Sequence, residues 1–125
     1  MDNGLISVVV IGAPGRLRDG LLLMLSSFPS VQVVGSTDAP VEARKILTER
    51  PVNLVLLDGD CANGEAAAWL KELRTQWPQT GCLFIGGSTR QLVAARAAGA
   101  DAVLMRSFQI EDLSAAIERI IRPQK

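Results

Sequence analysis

Val52-Asn53-Leu54-Val55-Leu56-Leu57-Asp58 is a short, largely apolar run closed by a carboxylate. A strand with one wet face alternates apolar and polar residues; this one does not, so it reads as a parallel strand buried on both faces. In open parallel sheets, ligands and chemistry collect beyond the carboxyl ends of the strands, which sets Asp58 at the mouth of whatever site the protein has.

Working outward, Leu5 to Ile11 is a second Val/Ile-rich strand, ending in the loop Gly12-Ala13-Pro14-Gly15. From Arg16, the residues Leu17, Leu21, Met24, Leu25 and Phe28 recur at helical spacing, and Phe28-Pro29-Ser30 closes that helix. Val31 to Gly35 is a strand. Ala39-Pro40 opens a helix with Ala43, Ile46 and Leu47 inward, and Arg50-Pro51 breaks it before the central strand. Beyond Asp58, Ala66, Trp69, Leu70, Leu73 and Trp77 mark a third helix ended by Pro78, with both tryptophans read as packing. Gly81 to Ile85 is a strand, Gly86-Gly87-Ser88 a flexible turn, and Leu92, Ala95 and Ala98 the inner face of a helix capped by Gly99. Asp101 to Met105 is the last strand, and Ile110, Leu113, Ala116, Ile117, Ile120 and Ile121 face inward on the last helix. Five strand–helix repeats predict an α/β fold with a doubly wound parallel sheet, as one domain over residues 1–125.

Composition narrows the function. The chain has 125 residues, 48% hydrophobic and 21% charged, as an ordinary folded protein does. Thirteen basic residues balance 13 acidic ones, so no field draws the chain to nucleic acid or to a membrane. Without histidine, and with only Cys61 and Cys82, neither a zinc site nor a disulfide framework is expected, and a reducing, cytoplasmic setting is the default. No run nears the roughly 18 apolar residues of a membrane span, and no targeting segment is read.

Four segments, Arg18-Asp19-Gly20-Leu21, Val33-Val34-Gly35, Pro51 to Asp58 and Ala97-Ala98-Gly99-Ala100-Asp101-Ala102, give the chain its likeness. It resembles a response-regulator receiver domain, most like the receivers of helix-turn-helix transcriptional regulators. The resemblance implies a flavodoxin-like (βα)5 three-layer sandwich with strand order 2-1-3-4-5. It also implies a phosphoryl group passed from a histidine kinase to Asp58 with the help of magnesium.

The rest of the implied site departs from the family. The acidic pair that holds the cation falls on Gly12 and Ala13, which offer no side-chain oxygen, leaving Asp58 and Asp60 as weak metal candidates. The hydroxyl residue ending the fourth strand falls on Gly86, followed by Gly87; the lysine ending the fifth falls on Arg106; the aromatic switch residue falls on Val103. Gly64 matches a family glycine only across a gap. Phe108 and Ile110 follow on what is the family's output surface: exposed, they would mark a partner or dimer face, whereas Phe108 folded over the emptied pocket would be core.

The preferred reading is a non-enzymatic pseudo-receiver in which Asp58 is held by Arg106 and nearby amides. It would signal by protein contacts, as a homodimer or with an output domain beyond Arg122-Pro123-Gln124-Lys125. Two alternatives stay open: an active receiver phosphorylated on Asp58 by a histidine kinase, and a small-ligand-binding flavodoxin-like domain using the Gly12 to Gly15 loop. Cys61 is read as a passive loop cysteine beside the pocket and Cys82 as a core residue.

Overall fold

The structure is a computed structural model and describes residues 4–60 and 66–121. Ten elements alternate: β1 (Ile6–Ile11), α1 (Arg16–Ser26), β2 (Val31–Thr37), α2 (Pro40–Glu49), β3 (Leu54–Asp58), α3 (Ala66–Gln76), β4 (Gly81–Gly86), α4 (Thr89–Ala97), β5 (Ala102–Met105) and α5 (Ile110–Ile121). All strand pairs are parallel, in the order β2-β1-β3-β4-β5. This is the doubly wound α/β fold expected from the repeats, in the flavodoxin-like order that the resemblance implies.

The central strand shows why its sequence does not alternate. Leu54 and Leu56 pack into a core with Leu21 and Leu25 of α1 and Leu113 and Ile117 of α5. Val55 and Leu57 point the other way, into a core with Leu47 of α2, Leu70 and Leu73 of α3, and Ala95 of α4. Helices thus cover both faces, and each apolar residue of β3 is removed from water.

Several boundaries shift from the expected ones. Val52 and Asn53 precede β3, where Asn53 acts as a clamp: its N–H donates to the Ser7 carbonyl at 2.9 Å, and its Oδ1 accepts from the Ser7 N–H at 2.8 Å. That pairing explains a polar residue inside an apolar run. β2 runs on through Thr37, past a register shift between Val8 and Val9 of β1. α1 stops at Ser26, so Phe28 lies outside it while still packing on the α1/α5 core. Of the turn expected at 86–88, Gly86 is the buried last residue of β4, and Ser88 caps α4 by accepting the Gln91 N–H at 3.2 Å.

At its other end α4 stops as the glycine predicts. Gly99 has φ +113°, its N–H donates to the Arg96 carbonyl, and the Ala100 N–H reaches back to Ala95, which is the Schellman pattern. No helix among the described residues is long and apolar enough to cross a membrane. Cys82 is fully buried in β4, where desolvation pushes its thiol up to about 12. Cys61, Gly64 and residues 122–125 lie outside the described residues.

Candidate functional site

β1, β3, β4 and β5 all end at the same edge of the sheet, and their ends bring Gly12, Asp58, Gly86 and Arg106 together. Asp58 closes β3 with its side chain only 12% exposed. Arg106, just past β5, places Nη2 at 2.7 Å from Asp58 Oδ1 and also at 2.7 Å from Asp60 Oδ2. One guanidinium nitrogen therefore bridges two carboxylates. The Asp60 N–H adds a bond to Asp58 Oδ1 at 3.1 Å. Hydrogen bonds to Arg106 hold the Asp60 carboxyl below the usual carboxylate range, and the Asp58 carboxylate, with Asp60, raises Arg106 in turn.

The polar contacts continue toward α4. Gln91 Nε2 donates to Asp60 Oδ1 at 3.5 Å, a long bond, while its Oε1 accepts the Gly87 N–H at 2.6 Å. Gln91 was not singled out from the sequence, although Ser88-Thr89-Arg90-Gln91 has the spacing of a capping box, whose fourth residue reaches back toward the helix start. A second arginine was also missed: Arg18 Nη1 of α1 donates to the Gly12 carbonyl at 3.1 Å.

Gly12 lies directly against the acid. A Cβ added there would stand 3.2 Å from Asp58 Cβ and 3.7 Å from Oδ2. Ala13 is exposed. Gly87 is exposed, with its N–H donated to Gln91 Oε1. Val103 is half-buried and packs on the α2/α3/α4 side. Phe108 is half-buried too, against the α1/α5 core, so it does not form the exposed apolar face considered from the sequence; Ile110 remains 38% exposed.

Among solved structures, the signal receiver domain of the response regulator NarL from Mycobacterium tuberculosis superimposes with a TM-score of 0.83 at 22% identity, covering 94% of this chain and 97% of that one. The fold of this chain is that of response-regulator receiver domains. No protein-family model matches it. Its sequence is 26% identical over 117 residues to the Fimbriae Z protein of Salmonella typhimurium, and 32% identical over 89 residues to the hydrogenase transcriptional regulatory protein HoxA of Cupriavidus necator. These matches cover 92% and 71% of this chain but only 56% and 18% of the two relatives.

The receiver fold implies a magnesium ion beside Asp58, and the residues present do not fit one. Magnesium requires several hard oxygens in near-octahedral array. Gly12 and Ala13 supply none from their side chains, and Arg106 is bonded to one oxygen of each nearby carboxylate. No group of three candidate ligating side chains occurs among the described residues. Asp60, considered from the sequence as a replacement ligand, pairs here with Arg106.

This ion pair has a testable pH signature. Asp60 titrates lower in the folded state than in the unfolded chain, so its contribution is present above about pH 4 and lost as the pH falls through the folded value. Because Asp60 is 59% exposed, the effect is small. In thermal melts, Asp60→Asn lowers the midpoint slightly near neutral pH, and the gap to wild type closes in acid.

Proposed function

We propose that this chain is a receiver module that does not depend on phosphorylation and acts through contacts with another protein or an output domain. The observation that carries the reading is the bridging guanidinium of Arg106, 2.7 Å from both Asp58 and Asp60. Transfer of a phosphoryl group to a carboxylate brings like charges together, and a divalent cation ordinarily offsets that repulsion. Here the available positive charge is already committed to neutralising the two acids.

The relatives support the signalling context. HoxA is a transcriptional regulatory protein, and both curated relatives extend well beyond the matched segment. The contact surface proposed here is the region of α4 and β5, where Val93 is 64% exposed and Leu92, Arg96, Ala97 and Val103 line an open hollow of about 410 Å³.

A second reading, phosphorylation of Asp58 by a histidine kinase, is favoured by one feature. The hydrogen bonds to Asp58 among the described residues all go to Oδ1, and Oδ2 lies on the Gly12 side. Incubation with acetyl phosphate and magnesium, followed by intact-mass spectrometry, separates the readings. The proposal expects no phosphorylated species; an adduct that Asp58→Asn abolishes would replace it with the second reading.

A further inference from the structure

Arg106 holds the two acids in a way that its own shape does not favour. A guanidinium typically forks, meeting one carboxylate with two parallel N–H bonds. Here both ion pairs run through Nη2, 2.7 Å from Asp58 Oδ1 and 2.7 Å from Asp60 Oδ2, while Nε is buried without an acceptor. One nitrogen set between oxygens of two different carboxylates stands where a bound cation would stand. The surroundings leave space beside it. Asp58 Oδ2 lies on the side of Gly12, which has no side chain to fill the gap, and the hydrogen bonds to Asp58 among the described residues go to Oδ1 instead. The guanidinium is also within reach of solvent, with the Arg106 side chain 35% exposed and that of Asp60 59% exposed.

We propose that Arg106 is an autoinhibitory latch: its guanidinium fills, between Asp58 and Asp60, the seat of a hard divalent cation, and its withdrawal opens that seat. The class of ion follows from the donors. Carboxylate oxygens and water suit hard divalent ions, and with two carboxylates in place water supplies the remaining ligands. Such a sparse, irregular set serves magnesium poorly, whereas calcium accepts longer bonds and flexible geometry. The two oxygens stand no farther apart than twice 2.7 Å, a span that calcium closes with a small movement of the exposed Asp60 side chain. The inference rests on the reading that Arg106 balances the two acids. It adds that this arginine, beyond the bare side chains of Gly12 and Ala13, is what keeps a cation out.

The test is a calcium titration at constant ionic strength, followed by amide NMR on the full chain. It compares wild type with Arg106→Met, which keeps an apolar stem and deletes the guanidinium. The variant shows saturable shifts at Asp58, Gly59 and Asp60, with an apparent affinity at least about tenfold above that of wild type. Adding Asp60→Asn to Arg106→Met abolishes them. If the methionine variant does not fold, Arg106→Gln carries the same test with a neutral polar end. Calcium binding no tighter than in wild type, or binding that survives Asp60→Asn, would overturn the latch. The wild-type arm keeps this inference apart from the functional reading. Silence in both wild type and Arg106→Met removes the latch alone; wild type that binds calcium as tightly as the variant removes both the latch and the reading beneath it.

Discussion

Leu56→Ala and Leu57→Ala each lower the unfolding free energy by about 3 kcal/mol, measured by urea denaturation. The two residues are neighbours on β3 and point to opposite faces of the sheet, yet both are fully buried. Truncating either removes apolar burial and leaves a space that close-packed surroundings only partly refill. Near-equal costs follow from helices on both faces. A sheet with one wet face would give one large and one negligible loss, so a difference of more than about 2 kcal/mol between the variants would contradict the packing described.

Gly59→Ala costs about 2 kcal/mol, although the change adds a single methyl group. The new Cβ meets the Phe84 ring at 2.5 Å and the Ile85 backbone oxygen at 3.1 Å, and the backbone atom cannot swing aside. The Gly59 N–H is bonded to that same Ile85 carbonyl at 2.8 Å, which holds the approach close. Because most of the clash is with the ring, combining Gly59→Ala with Phe84→Leu costs less than the sum of the two single changes. Such a coupling appears in a double-mutant cycle by equilibrium unfolding. Strictly additive costs would mean that Gly59 and Phe84 do not constrain each other.

The fold was legible because its signals are local. β3 reads as a buried strand from five consecutive residues, and Gly99 announces the end of α4 by itself. The end of β2 was not legible, since Ser36 and Thr37 carry no apolar signal and join the sheet only by pairing with Val10 and Ile11. For Phe108 the sequence left surface and core both open, and packing against the α1/α5 core, which no local signal reports, decides between them.

In the site, the pairing of Asp58 with Arg106 could be expected from the resemblance, 48 positions apart though they are. That Arg106 would bridge to Asp60 as well could not, because the bridge depends on how the chain turns after β3. The close approach of Phe84 to two glycines gave no signal either. An aromatic in a buried strand looks like ordinary core until the two glycines against its ring are placed beside it, and Gly59 and Gly86 are far apart in sequence.

The central claim is that the pocket's positive charge is supplied by Arg106 and leaves no place for a cation and a phosphoryl group. An amide NMR titration with magnesium, then beryllofluoride, tests it most directly. The account predicts unchanged spectra at Asp58, Gly59, Asp60 and Arg106 through millimolar magnesium, and no response to beryllofluoride. Saturable shifts at those amides, spreading to Val103 and the α4 amides, would contradict it and show a working phosphoryl switch.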